Sequence, residues 1–488
     1  MEVNFAGGSL KYEERIGDVI VTCEETTELI VPDALPDVAE IVVADGQSFL
    51  RGKEARKNAL AISGVSEITV LYCPEDGGLR KLRLEVPFEG ECACAGLAEA
   101  DRLSACVHLM SAEARLLNSR KVAVKTEVCV RVSAWSPRKL EWAKDAADGA
   151  ALELKKETGV VFPATEVTEK TFDISDTLPL PAGKPPVGEI LYSRGSLQQD
   201  EANPVGGRLI LRGTAFLTVV YLSHSGELAE ADLRTPWSAV LDAASGEEEQ
   251  SCAVELALTG LSTELSEGGI SVELGGVAQA VVHTRRELPY LADAYSVQCA
   301  LTPETETVKL TGACTPSEQT DVLTLRLEGR QPTRSLTAIF ADCGRPRQEK
   351  ELCRVPVVVK ALCAGENGKP VLLSGRGEAV CRGMTAPGFR TGELYASVSS
   401  GGVEVRVPVI FSGTQEETKT LTLLTGATAE EAPAETGEFT AVLLHTRPGD
   451  TVWELGKRKR LPCEAIRSVN GLGENEEPAP GTLLLLAR

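Results

Sequence analysis

A mainly β chain, organised as three tandem β-rich modules ahead of a small terminal one, is the fold predicted by this 488-residue sequence. Three observations predict it. A long internal repeat aligns without a gap, apolar and polar residues alternate with a period of two, and Gly- and Pro-rich turns separate the alternating runs. Leu211–Trp237 falls on Ile62–Phe88 at a constant offset of 149, which places Gly213 on Gly64, Thr218 on Thr69, Val219 on Val70, Tyr221 on Tyr72, Gly226 on Gly77, Pro236 on Pro87 and Trp237 on Phe88. The same offset carries Pro181, Pro185, Val187, Glu189 and Ile190 back onto Pro32, Pro36, Val38, Glu40 and Ile41. Self-similarity of this kind marks a duplicated structural unit.

The first module spans 1–158. Leu82, Leu84, Val86 and Phe88 alternate with Arg83, Glu85 and Pro87, and Val122, Val124, Val128, Val130 and Val132 continue the pattern further on. Both runs predict half-buried strands, and Pro74–Gly78 supplies a turn before the first. Residues 137–157 are richer in Ala, Lys and Glu, and both a helical turn and a connecting strand fit them. The second module covers 159–292. Its Ser266–Val272 matches Ser399–Val405 of a third, more divergent module at 293–425, and Asn118–Val124 takes the same place in the first. Paired glycines suit a hairpin turn because they reach positive φ without strain, and Asn118 tolerates that region better than most residues. Val403, Val405, Val407 and Val409 alternate with Glu404, Arg406 and Pro408 in the strand that follows. Residues 426–438, GATAEEAPAETGE, are small, acidic and interrupted by proline, and they predict a flexible linker to a terminal module at 439–488.

Composition narrows the function. Hydrophobic residues make up 43% of the chain, enough for real cores, and aromatics only 4%, so Val, Leu, Ile and Ala must build those cores. A formal charge of −21 repels phosphate backbones and anionic lipid, which argues against nucleic-acid binding. Apolar runs such as Leu483–Ala487 are far shorter than a membrane span requires. The first fifteen residues lack the cationic start and apolar stretch of a secretory signal, so the expectation is a cytoplasmic protein whose fourteen cysteines are reduced. Cys23 and Cys73 align with Phe172 and Leu222, which makes both of them apolar packing positions.

The last fifty residues resemble a LysM domain. Pro448-Gly449-Asp450-Thr451-Val452-Trp453 is similar to the family's entry into its first helix, Asn470-Gly471-Leu472 to the close of its second, and Pro480-Gly481-Thr482-Leu483 to the opening of its final strand. The resemblance implies a βααβ fold. Asp450 or Thr451 can cap the first helix, with Val452, Leu455 and Gly456 on one side of it. Gly456 stands where family members usually carry Ala, and Lys457-Arg458-Lys459-Arg460 is more basic than is usual for them.

The preceding modules resemble the SPOCS domain of endospore-forming bacteria, in their Pro-x-x-x-Ile lead-in, the Gly-centred strand before Tyr72 and Tyr221, and the turn into an aromatic. Repeated SPOCS domains followed by one LysM domain resemble spore morphogenetic proteins that join the coat to the developing spore through a partner ATPase. The resemblance implies a non-enzymatic scaffold on the mother-cell side of the forespore surface, whose LysM domain docks that ATPase or another coat protein. The alternative is a wall protein that holds N-acetylglucosamine polymers of peptidoglycan, the commoner use of LysM.

The residues themselves add a polarity. Residues 439–488 carry seven Lys or Arg against six Asp or Glu, and the rest of the chain 43 against 65. Lys457, Arg458, Lys459 and Arg460 are therefore expected to form a basic docking face for an acidic protein. The loop Gly449, Asp450, Thr451, Val452 and the turn Asn470, Gly471, Leu472 would supply the adjacent groove. No catalytic constellation or cofactor motif stands out. His108, His224, His283 and His445 are scattered, Cys92/Cys94 and Cys106/His108 read as ordinary strand residues rather than metal ligands, and Gly375-Arg-Gly377 lacks the rest of a phosphate loop.

Overall fold

The computed structural model describes residues 3–146, 152–243, 249–329, 333–365, 369–384, 387–399, 402–430 and 441–487. These are mainly strand, as expected, and every ladder among them is antiparallel. In the first unit β1 (Phe5–Ile30), β5 (Arg102–Asn118) and β6 (Lys121–Ala146) form one layer in the order β1-β6-β5. The other layer is the meander β2 (Val38–Arg56), β3 (Ala59–Pro74) and β4 (Arg80–Ala93). A connecting strand, β7 (Leu152–Val161), leads to the second unit. There β8 (Ala164–Leu178), β12 (Gln250–Ser266) and β13 (Gly269–Thr284) repeat the first layer, and β9 (Val187–Val205), β10 (Arg208–Ser223) and β11 (Leu228–Asp242) the meander. Residues 137–146 and 152–157 are therefore strand rather than helix.

After β14 (Arg286–Ser296) the third unit runs through β15 (Ala300–Glu328), β16 (Thr333–Cys343), β17 (Arg347–Glu349), β18 (Leu352–Gly365), β19 (Pro370–Arg382), β20 (Gly388–Thr391), β21 (Tyr395–Ser399) and β22 (Gly402–Glu430). Its layers are β15-β22 with β20 and β21 along the far edge of β22, and β16-β18-β19 with β17 added. One strand of the earlier pattern is thus split into β20 and β21. Strand pairing links the first unit to the second, where β1 meets β8 at Glu13 and Ala164, and the connecting strands β14 and β7 pair with each other. Residues 426–430 of the expected linker belong to β22, and 431–438 lie outside the described residues.

The repeat read in the sequence is a repeat of register. Gly64 faces Phe88 and Gly213 faces Trp237; Asp45 faces Thr69 and Arg194 faces Thr218. Each glycine is required by its aromatic, since a Cβ at Gly64 or Gly213 would run into the ring of Phe88 or Trp237. The two tyrosines also do one job: Tyr72 Oη donates to the Pro36 carbonyl at 3.0 Å and Tyr221 Oη to that of Pro185 at 2.9 Å. This bond ties the proline lead-in to the meander. Between the layers lie apolar cores of the expected residue types, with Ile68, Val70, Val122 and Val130 in the first unit, Leu209, Leu217, Val219 and Val272 in the second, and Val355, Val359, Val405 and Val409 in the third. Each such side chain contributes about 1.5–3 kcal/mol by leaving water.

Asn118 departs from the expectation: it is absent from the positive-φ positions, and its Oδ1 instead accepts from the Arg120 amide at 2.9 Å, so the side chain shapes the turn. All fourteen cysteines are free thiols; Cys23 is buried and Cys73 half-buried.

Candidate functional site

The terminal module consists of β23 (Ala441–His445), α1 (Val452–Lys459), α2 (Cys463–Asn470) and β24 (Leu483–Ala487), with β23 and β24 paired. Thr451 is the N-cap of α1, its hydroxyl accepting from Glu454 N at 3.1 Å, and Asp450 closes the preceding turn by accepting from Arg447 N at 2.8 Å. Gly449 and Gly471 both have positive φ, at 91° and 65°, the latter ending α2. Val452 is fully buried and packs with Leu455, Ile466, Leu484 and Leu486, and Leu472 leans on the same core. Asn470 is committed internally: its amide donates to Leu485 O at 2.8 Å and accepts from Leu485 N at 2.7 Å, so it satisfies one edge of β24. The loop and turn expected to form a groove thus supply mostly caps, turns and core.

The basic run divides. Lys457 Nζ lies 2.6 and 2.7 Å from the two carboxylate oxygens of Asp293 in β14, and Trp453 Nε1 donates to the same carboxylate at 2.9 Å. Beside them Tyr295 donates to the Leu461 carbonyl at 2.7 Å and meets the Trp453 ring edge-on at 4.9 Å. Gly456 is explained by this contact, because a Cβ there would strike the Tyr295 hydroxyl. Arg458 and Lys459 are exposed, and Arg460, at φ 53°, caps α1. Asp450 stands 3.6 Å from Arg458. On the module's other side Leu443, Leu483 and Leu485 occupy one face of the β23–β24 pair and are 64%, 50% and 36% exposed, an apolar patch the sequence reading did not single out.

Where the three units converge, the second strand of each, β2, β9 and β16, contributes one charge, Asp45, Arg194 and Asp342, and β18 adds a fourth. Arg194 lies 3.5 Å from Asp45 and 2.7 Å from Asp342, while Lys360 of β18 lies 3.2 Å from Asp45 and 3.6 Å from Asp342. Tyr192 Oη donates to Asp45 at 3.0 Å. Burial alone would raise the Asp45 carboxyl, but Lys360 and Arg194 together hold it below the ordinary aspartate range. At Asp342 burial prevails and the carboxyl is pushed up. Two cations against two carboxylates leave the cluster balanced on formal charge, the condition under which buried ions are tolerated.

Next to this cluster is a cavity of about 530 Å³ lined by all three units. Arg131 and Glu255 form an ion pair in its wall, and His108 stacks on Phe389 with ring centroids 4.5 Å apart. Burial, assisted by the neighbouring Arg131, lowers the His108 pKa to about 3, so the ring is neutral at ordinary pH. Cys106 and His108, adjacent on one face of β5, both border the cavity. A different set gathers at its edge: His283, Cys314 and Glu416 each place one ligand atom within 4.8 Å of the others. No sequence motif announces this group, since the three residues come from β13, β15 and β22.

No helix among the described residues is long and apolar enough to cross a membrane. No family model matches the chain, and neither a curated protein nor a solved structure matches it.

Proposed function

We propose that this chain is a non-enzymatic sporulation scaffold of the SPOCS–LysM kind, with its LysM-like module as the docking element for a spore-coat morphogenetic ATPase or another coat protein. The observation that carries the reading is the way the terminal module is held. One flank of α1 is spent on the body of the protein through Trp453, Gly456 and Lys457, while Arg458 and Lys459 are turned to solvent and Leu443, Leu483 and Leu485 expose an apolar face. Exposed cations raise the rate of encounter with an acidic partner, and an apolar face supplies the affinity. The three β units serve as the body that fixes the module's position. Binding of N-acetylglucosamine polymers is the competing use of a LysM-like module. Val452 and Asn470 are taken up by the core and the β24 edge, which supports the protein-docking use over a sugar groove built from those residues. The test is association of the full chain with the coat ATPase across a salt series, run beside co-sedimentation with purified peptidoglycan.

A further inference from the structure

We propose that His283, Cys314 and Glu416 form a binding site for a divalent transition-metal cation of the zinc class, at the junction of the second and third units and on the edge of the central cavity. One imidazole, one thiol and one carboxylate bring a ligand atom each within 4.8 Å of one another. A sulfur and nitrogen pair with one oxygen selects zinc-class ions over calcium or magnesium, which take oxygen sets.

The orientation of the imidazole suits a metal ligand. Nδ1 of His283 lies 3.0 Å from the Phe162 carbonyl, and because a carbonyl only accepts, Nδ1 must carry the proton and Nε2 the lone pair. A backbone carbonyl that fixes the tautomer and plane of an imidazole in this way is the usual outer partner of a metal-bound histidine. That carbonyl is itself on a braced segment, since Phe162 N donates to Thr311 O at 2.6 Å.

The local backbone is irregular at two of the three ligands. The ladder β13–β8 shifts register between Val282 and His283, and β15–β22 shifts between Thr311 and Ala313, next to Cys314. Such irregularities re-aim side chains, and here two of them flank one cluster. Cys314 and Glu416 are direct register partners, so one strand pair presents the thiol and the carboxylate side by side.

Tetrahedral zinc with ordinary bond lengths holds its ligand atoms about 3.3–3.8 Å apart, so a pair at the 4.8 Å limit would close by about 1 Å on binding. Glu416 is exposed and can move by rotation, while His283 and Cys314 are buried. His283 and Glu416 both line the cavity, which leaves the fourth position for a water on that side. Because His283 belongs to the second unit and the other two ligands to the third, bound metal would also tie the units together.

The experiment is Co²⁺ titration of the full-length protein, reduced and freed of metal, followed by absorbance. One equivalent should bind with a thiolate-to-cobalt charge-transfer band in the near ultraviolet. Cys314→Ser should abolish the band, His283→Gln should weaken binding at least about tenfold, Glu416→Gln should weaken it several-fold, and Cys299→Ser, a thiol outside the group, should change nothing. No stoichiometric binding, or a band that survives Cys314→Ser, would overturn the proposal. Should the two buried variants fail to fold, the exposed Glu416→Gln decides: unchanged Co²⁺ affinity, or a wild-type melting temperature that does not rise with Zn²⁺, would overturn it as well.

Discussion

Asp45 and Arg194 occupy the same position in successive copies of the repeat, opposite Thr69 and Thr218, and they face each other as an ion pair at 3.5 Å. Duplication brought two equivalent strands together at the centre, where identical residues would have met like with like. Opposite charges at the two positions make the contact attractive and specific to the pairing of the first unit with the second. Asp342 and Lys360 extend it to the third.

Arg194→Met should therefore be among the most damaging single changes in the protein. It removes one cation from a cluster of two and two, and leaves the buried carboxylates of Asp45 and Asp342 with Lys360 as their one remaining cation, at a cost of about 3–5 kcal/mol. Asp342→Asn in the same chain should recover part of that loss. Denaturation midpoints of the two variants and their combination check this, and strictly additive losses would show that the residues act independently.

Docking of the terminal module depends on Asp293 and on the absence of a side chain at position 456. Gly456→Ala and Asp293→Ala should each raise amide exchange in β14 and α1 while leaving the meander of the first unit unchanged. Asp293→Ala leaves Lys457 and Trp453 without their shared acceptor, so roughly 1–3 kcal/mol of local stability should go. Exchange rates in α1 equal to those of the wild type would count against this interface.

His108 gives a pH dependence with a definite sign. Its pKa in the folded chain is about 3, below the ordinary value of 6.5, so the unfolded chain binds more protons between those limits. Stability contributed by the neutral ring is complete above pH 6.5 and declines as pH falls towards 3, by up to about 1.4 kcal/mol per unit. His108→Phe keeps an aromatic against Phe389 and removes the titration. Its stability should fall less steeply than the wild type's between pH 6.5 and 4.5, and parallel curves would contradict the assignment.

Gly64 and Gly213 mark what the sequence made legible. Each sits under an aromatic, Phe88 or Trp237, and either residue changed to Ala should cost about 1–3 kcal/mol by overpacking, measured as a fall in denaturation midpoint. Because glycine, aromatic, tyrosine and proline recur at one offset, the repeat, its hairpins and its register could be read from one strand of text. Local signals also placed the caps and turns of the terminal module. What could not be read were contacts between residues far apart in the chain. Nothing near Lys457 points to Asp293, and nothing near Cys314 points to His283 or Glu416, because strand order alone brings them together. The apolar face of Leu443, Leu483 and Leu485 escaped notice for another reason: in a two-stranded sheet, alternation does not say which face is covered.

Partner docking through the terminal module is tested by the association rate of the full chain with the coat ATPase, at several salt concentrations, for the wild type and for Arg458→Gln/Lys459→Gln/Arg460→Gln with Lys457 left in place. The wild type should associate faster at low salt, the triple variant should associate more slowly with a flatter salt dependence, and neither should be retained on peptidoglycan. Equal rates and equal salt dependence in the two proteins, or retention on peptidoglycan without any association with the ATPase, would contradict the account.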